Sequence, residues 1–191
     1  MSEDILAPIP LSYNLTSYDI DLSAGDAAIH TTARIQDDIS GVLQEGSGGY
    51  GRWRSSSGQS VDNHVYGLTS GTNLDGEYSG TLELSKYGEN GSWTLESFCA
   101  QDAAGNHKCY STQELDSLGI RTTLNVTGGS NDTSAPAPAS YQLSSYEIDL
   151  SAGDVVLDAT ARFTDDISGV CDYSFSGYRG PASQFTWISA S

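Results

Sequence analysis

Apolar and polar residues alternate along many short stretches of the chain, a period-2 pattern typical of β-strands with one buried face. In the clearest stretch, Ile29, Thr31, Ala33 and Ile35 fall on one face of a predicted strand. Similar stretches predict strands near residues 13–22, 61–65, 78–84, 93–100 and 120–126, and one that begins at Val42. Short strands at close spacing, separated by glycine and asparagine turns, favour an all-β, immunoglobulin-like antiparallel β-sandwich.

Two local patterns refine this prediction. Trp93 and Leu95 share one face of their strand, whereas Phe98 and Ala100 share the other, so a bulge near residues 96–97 would turn all four inward. The segment Ser111–Glu114 fits a capping box and predicts a short helical turn over about residues 112–118.

The chain contains an internal repeat. Residues 6–42 align without gaps with residues 134–170, and 24 of these 37 positions are identical. The first unit is assigned to residues 3–128, and residues 129–191 are assigned to the N-terminal half of a second homologous repeat. Residues 128–131 are small or polar and form the predicted linker. We therefore expect one complete unit plus an incomplete second unit.

The composition and net charge of the chain limit the kinds of molecule that it could bind. The chain has 25 acidic and 8 basic residues and a net charge of −17, which argues against nucleic acid and favours bound cations or a salty extracellular medium. No apolar run is long enough for a membrane span. The first residues lack the basic and apolar regions of a signal peptide, so we expect none in this chain.

Three motifs together resemble a known type of module. They are Asp-x-x-Ala-Pro, beginning at Asp4 and again at Asp132, then Asp-Asp-x-Ser-Gly-Val, and then Asp-Ala-Ala-Gly-Asn. The set is similar to the tandem bacterial immunoglobulin-like (Big-type) repeats of secreted and cell-surface proteins. This resemblance implies a role as a spacer in an adhesin or as an accessory module of a secreted enzyme. Many repeats of this type bind calcium near domain junctions.

A calcium site is predicted where these motifs would meet. In an immunoglobulin-like sandwich, the start of the first strand and two loops lie at one pole, and these places hold Asp4, Asp37, Asp38, Asp102 and Asn106. Calcium prefers six to eight oxygen ligands in a flexible geometry, whereas magnesium demands a stricter octahedron. The alternative is that these residues only form turns, as Asp and Asn often do.

The second unit places Asp132, Asp165 and Asp166 at the equivalent pole. A metal ion there would stiffen the junction between the repeats. The loop that contributes Asp102 and Asn106 in the first unit has no counterpart in residues 129–191, so we expect this second site to be incomplete or completed by another segment.

Two cysteines flank the predicted metal loop. Cys99 and Cys109 are symmetric about Ala104 and should lie opposite each other on a hairpin, where a disulfide would indicate an oxidising compartment. Two free thiols are the alternative. Cys171 is left over.

The sequence contains no nucleophile elbow, no phosphate-binding glycine loop and no zinc-ligand spacing. We therefore expect that the chain has no catalytic residues and is not an enzyme. Tyr50 and Trp53 could form a sugar-stacking surface, although such residues more often cover a sheet.

The favoured function is a calcium-stabilised structural or adhesive repeat, located extracellularly or at the cell surface, with neighbouring repeats or copies of the same chain as partners. The alternatives are a glycan- or partner-binding accessory module and a strand-complemented, self-assembling filament subunit.

Overall fold

The computed structural model describes residues 3–43, 48–151 and 153–170. The chain divides into two compact units, Met1–Thr133 and Ser134–Ser191. The first unit contains nine strands and one short helix in its described part: β1 Ile9–Leu15, β2 Asp19–Asp21, β3 Ala27–Gln36, β4 Gly49–Arg54, β5 Ser60–Gly71, β6 Asp75–Leu84, β7 Gly91–Gln101, β8 His107–Ser111, α1 Thr112–Ser117 and β9 Thr123–Thr127.

The first unit is an all-β sandwich of the immunoglobulin-like type. Its strands follow the order β1-β3-β6-β5-β4-β7-β9-β2, and β8 pairs with β7 beside this path. The long strand β5 connects the two faces, because residues 60–65 pair with β4 whereas residues 65–71 pair with β6. All of these pairs are antiparallel except β2 with β9, which is parallel. The sheet therefore curls until β1 and β7 face each other across the core.

Aromatic side chains from both faces fill the core. Tyr13 on β1 lies 5.2 Å from Phe98 and 6.3 Å from Trp53, measured between ring centroids. The Tyr13 hydroxyl donates to Asn63 Oδ1 at 2.6 Å and accepts from Trp53 Nε1 at 3.2 Å. Burial raises the pKa of Tyr13 well above its usual value. The Tyr13 hydroxyl and Trp53 Nε1 are thus paired within the core, whereas Asn63 Nδ2 is buried without a hydrogen-bond partner.

The predicted bulge and helix are both confirmed. Between β4 and β7 the register skips Glu96, and Trp93, Leu95, Phe98 and Ala100 are all buried. Helix α1 begins after the N-cap Ser111, whose side chain and that of Glu114 form the reciprocal capping box.

The prediction of a strand that begins at Val42 was wrong. Within the described residues, Val42 forms an isolated bridge to Asp102, and the regular strand begins at Gly49. The short strand predicted near residues 61–65 is also longer than expected and extends to Gly71.

The predicted linker is hydrogen-bonded to the first unit. Asn90 Nδ2 donates to the Gly129 carbonyl at 3.0 Å, and Asn90 Oδ1 accepts from Gly129 N at 2.9 Å. Ser130 N donates to the Lys86 carbonyl at 2.9 Å, and Asp132 N donates to the Tyr87 carbonyl at 3.2 Å. These contacts explain why the first compact unit extends beyond Gly128 to Thr133.

The second unit contains one described hairpin, made of β10 Ala137–Leu143 and β11 Ala159–Thr164. Its register repeats that of β1 and β3, since Tyr141 pairs with Ala161 as Tyr13 pairs with Ala33. The corresponding side chains are much more exposed than in the first unit. Ile148 is 52% exposed whereas Ile20 is 5% exposed. Cys171 lies outside the described residues.

Glu89 connects two loops at the end of the sandwich that bears the linker, and its contacts lead to a pH prediction. Its carboxylate accepts from Ser56 Oγ at 2.6 Å and from Ser57 N at 2.9 Å. Hydrogen bonding from Ser55, Ser56 and Ser57 lowers the pKa of Glu89 to about 2. A lowered pKa in the folded state adds stability above the unfolded value of about 4.3, and this contribution is lost as pH falls towards 2.

The substitution Glu89→Gln is therefore expected to destabilise the protein at pH 7 by about 1 kcal/mol, a value reduced for solvent screening. The difference from the wild type should shrink as pH falls from 5 towards 2. Urea unfolding across this range measures it, with Glu83→Gln as the control because the exposed Glu83 side chain makes no hydrogen bond in the described structure. An equal loss at pH 7 and pH 2 would show that the charge of Glu89 is not responsible.

Candidate metal centre

Three separate segments of the first unit bring carboxylates together at one pole. Asp4 precedes β1, Asp37 follows β3, and Asp102 follows β7. Each offers one carboxylate oxygen, and these three oxygens lie within 4.8 Å of one another. Asp37 and Asp102 are 7% and 1% exposed, so two of the three acids are almost fully buried.

The turn after β3 uses only one oxygen of Asp37. Asp37 Oδ2 accepts from Gly41 N at 2.7 Å and from Ile39 N at 3.3 Å. Gly41 has a φ of +85°, a conformation that glycine adopts without strain. The other oxygen, Asp37 Oδ1, is buried without a hydrogen-bond partner. Turn formation therefore explains Oδ2 and leaves Oδ1 unexplained.

The loop between β7 and β8 orders the second buried acid. Asp102 Oδ1 accepts from Asn106 N and Asp102 Oδ2 accepts from Asn106 Nδ2, both at 2.7 Å. The same amide nitrogen also faces Asp4, at 3.2 Å from its carbonyl and 3.4 Å from Oδ1. The Asn106 amide is thus a neutral donor directed at three oxygens. A half-turn about its last torsion would present its own oxygen to a metal ion instead.

Ser40 ties Asp4 to both loops. Ser40 N donates to Asp4 Oδ2 at 2.8 Å, and Ser40 Oγ accepts from Ala104 N at 3.2 Å. Hydrogen bonding from Ser40 lowers the pKa of the Asp4 carboxyl. Asp4 is therefore held as a charged carboxylate at neutral pH.

No basic side chain neutralises this cluster within the described residues. The ion pairs of the first unit join Arg34 to Asp75, Arg52 to Asp62, Arg54 to Glu96 and Lys108 to Glu114. Like charges at this separation repel strongly where the effective dielectric constant is low. A cation is the simplest group that would reduce this repulsion and also give the unpaired oxygen of Asp37 a partner.

Calcium and magnesium place different demands on such a group of oxygens. Calcium binds oxygen at about 2.3–2.6 Å, so oxygens on opposite sides of one ion are roughly 4.8 Å apart. The three oxygens of Asp4, Asp37 and Asp102 lie within 4.8 Å of one another, so a single calcium ion could contact all of them. Magnesium, with bonds near 2.0–2.1 Å, demands a stricter octahedron and usually keeps several of its waters.

Asp38 is not part of this cluster. Its side chain is exposed, and it does not belong to the group formed by Asp4, Asp37 and Asp102. Adjacent residues at the end of a strand direct their side chains to opposite sides, so only one of the pair can face the pole. Asp38 therefore provides a neighbouring control for Asp37.

The second unit repeats the turn geometry of Asp37. Asp165 Oδ1 accepts from Gly169 N at 2.7 Å and from Ile167 N at 3.1 Å, and Asp165 Oδ2 is buried without a partner. Asp166 is exposed and belongs to the same unit, whereas Asp132 belongs to the first unit. The predicted second set of ligands therefore stays a prediction.

The predicted sugar-stacking surface requires a correction. Trp53 is 0% exposed and packs in the core, so its ring cannot stack on a ligand. Tyr50 lies on the outer face, half-buried, with its ring centroid 5.3 Å from that of His64. Alternation along β4 places Trp53 inward and Tyr50 outward, which separates the two residues.

The disulfide between Cys99 and Cys109 is confirmed. The two residues pair directly across β7 and β8, on either side of the loop that contains Asp102 and Asn106. His107 Nε2 lies 3.9 Å from Cys109 Sγ. Cys99, His107 and Cys109 also lie close enough together to form a group of potential metal ligands. Because the disulfide engages both sulfurs, this group cannot bind a metal through them in the oxidised protein.

Comparison of the chain with protein-family models, curated proteins and solved structures finds no match. The resemblance to tandem bacterial immunoglobulin-like repeats therefore remains an expectation from the motifs. Among the described residues, no helix is long and apolar enough to cross a membrane.

Proposed function

We propose that the first unit is a calcium-stabilised structural repeat of an extracellular or cell-surface protein, without catalytic activity. The observation that carries the proposal is Asp37 Oδ1, a buried carboxylate oxygen without a hydrogen-bond partner. It belongs to a group with Asp4 and Asp102 that no described basic residue neutralises. The disulfide is compatible with an extracellular location.

In this function calcium would link three segments that are far apart in the sequence. Asp4, Asp37 and Asp102 would supply one oxygen each, and Asn106 would supply its amide oxygen after rotation. Waters or main-chain carbonyls would complete the six to eight ligands that calcium prefers. The chain entry and two loops would then be fixed relative to one another, which suits a module that transmits force or spaces other domains.

A comparison of two adjacent aspartates tests the proposed site. Asp37→Asn is expected to abolish calcium binding by the first unit, because it removes the charge of a buried ligand while preserving its size. Asp38→Asn should leave that binding unchanged, because Asp38 is exposed and lies outside the group. Isothermal titration with calcium measures both variants, and equal behaviour of the two would contradict the assignment.

A second candidate function, assembly through the second unit, is supported by its exposed apolar residues. Leu150 is 67% exposed and Ile148 is 52% exposed, whereas their counterparts Leu22 and Ile20 are buried. A neighbouring repeat or another copy of the chain could cover this face by adding strands.

Light scattering at increasing protein concentration tests this candidate. The wild type is expected to associate, and Ile148→Ser with Leu150→Ser should associate less. Ile39→Ser is the control, since Ile39 is an exposed apolar residue of the first unit. A wild-type protein that stays monomeric at all concentrations would argue against self-assembly.

A further inference from the structure

The hairpin that carries Asp102 and Asn106 is closed by the Cys99–Cys109 disulfide. We propose that reduction of this bond weakens calcium binding, so that the metal site responds to the redox state of its surroundings. The inference rests on the calcium site proposed above and concerns its regulation.

The two arms of this hairpin are held very differently. The β7 arm lies inside the sheet, where it also pairs with β4. At its end, Leu43 N donates to the Gln101 carbonyl at 2.9 Å and Ala103 N donates to the Gly41 carbonyl at 2.9 Å. Asp102 is therefore anchored by neighbours on both sides, whatever the state of the disulfide.

The β8 arm is held less firmly, although the Tyr110 hydroxyl donates to the Pro8 carbonyl at 2.8 Å and Lys108 forms an ion pair with Glu114. Within the described residues β8 pairs only with β7, and Tyr110 is its one buried side chain. Helix α1 also separates β8 from β9, so these two short strands occupy different stretches of the same edge of β7. The strand β8 is neither part of a continuous edge strand nor extensively buried. The disulfide therefore fixes its position.

Asn106 directly precedes β8 and would be affected by its release. Its amide connects Asp102 to Asp4 across the pole. If β8 becomes mobile, Asn106 must be ordered again each time calcium binds, and this loss of conformational freedom reduces affinity. Asp37 and Asp102 are held by contacts outside β8, whereas the segment of Asp4 is linked to β8 through the Tyr110 hydroxyl, which donates to the Pro8 carbonyl at 2.8 Å. We therefore expect weaker binding and not its loss.

The reduction itself is an ordinary thiol–disulfide exchange with a dithiol. Because Cys109 is exposed and Cys99 is buried, a thiolate of the reductant attacks Cys109 Sγ, and Cys99 leaves as a thiolate that takes up a proton. The second thiol of the reductant then attacks the mixed disulfide and releases Cys109 as a thiol. The protein gains two electrons and two protons, and the dithiol becomes a cyclic disulfide.

The coupling must act in both directions. A factor by which oxidation strengthens calcium binding is the same factor by which calcium favours the oxidised form. We expect about tenfold, within the usual range for coupled sites, which corresponds to a shift of about 30 mV in the two-electron reduction potential.

Calcium titrations of the full chain in two redox states test the inference. Cys171→Ser serves as the background, so that only one cysteine pair can react. The oxidised protein is expected to bind calcium about tenfold more tightly than the protein reduced with dithiothreitol. The double variant Cys99→Ala with Cys109→Ala provides a second form without the bond and without reductant. Circular dichroism in the near ultraviolet establishes that each form is folded.

The outcomes separate this inference from the function on which it rests. Equal affinities in the oxidised protein and in a folded form without the bond would overturn the coupling and leave the calcium site intact. Absence of binding in both forms would overturn the calcium site and the coupling together.

A redox titration gives the reciprocal measurement. Calcium should lower the reduction potential by about 30 mV in the background protein and in Asp38→Asn, but not in Asp37→Asn. An unchanged potential in the background protein would contradict the coupling.

Discussion

Truncation of Trp53 to alanine is expected to lower the free energy of unfolding by about 3–5 kcal/mol. Trp53 is fully buried, and its Nε1 donates to the Tyr13 hydroxyl at 3.2 Å. The variant would leave a large cavity between the two faces and would remove a hydrogen bond from a buried hydroxyl. Because domains are stable by only about 5–15 kcal/mol, this is a large share of the total.

Urea unfolding measures the effect, and Trp53→Phe is the matched variant. Phenylalanine keeps a six-membered aromatic ring but loses the Nε1 donor and part of the indole volume, so its effect should be smaller, about 1–3 kcal/mol. A stable Trp53→Ala protein that had lost affinity for a glycan would contradict the structural role and restore the sugar-binding interpretation.

Calcium is expected to raise the free energy of unfolding by about 2.7 kcal/mol when present at 100 times its dissociation constant. The reason is that Asp4, Asp37 and Asp102 converge only in the folded state. Thermal unfolding in EDTA and in calcium measures the shift.

Two variants distinguish the site from a general effect of charge screening. Asp37→Asn combined with Asp102→Asn should remove the shift, whereas Asp38→Asn should retain it. The double variant should remain folded in EDTA, because fewer charges then repel one another at the pole. A shift of equal size in all three proteins would mean that calcium acts by screening or at another place.

Strand faces and local motifs could be predicted from the sequence because they depend on neighbouring residues. The bulge at Glu96 was visible as a change of parity between Leu95 and Phe98, and the helix start was visible in Ser111 and Glu114. The cysteine pair was visible from its symmetry about the loop. Each of these signals lies within about ten residues of sequence.

Features that depend on distant contacts could not be predicted in the same way. The length of β5 follows from its passage between two faces, so its polar residues show no single alternating pattern. The attachment of Gly129 to Asn90 joins residues about 40 positions apart and moves the end of the first unit. Neither the length of β5 nor the contact between Gly129 and Asn90 is indicated by the residues nearby in the sequence.

The candidate site was predicted in outline but not in its decisive detail. Asp37 and Asp38 are adjacent residues of the same type, so the sequence does not distinguish them. Only the path of the chain determines which of the two side chains faces the pole. The unpaired oxygen of Asp37 depends on the turn to Gly41, which uses the other oxygen. The suggestion that Trp53 could join Tyr50 in a sugar-stacking surface was wrong, because alternation along β4 directs the Trp53 side chain inward.

A crystal structure of the protein grown with calcium tests the central claim most directly. The account predicts one ion at the pole of the first unit, about 2.3–2.6 Å from Asp37 Oδ1 and from oxygens of Asp4 and Asp102. It also predicts that the Asn106 amide turns its oxygen towards the ion. A structure in which calcium is bound elsewhere, or in which Asp37 Oδ1 contacts only a protein donor or water, would contradict it.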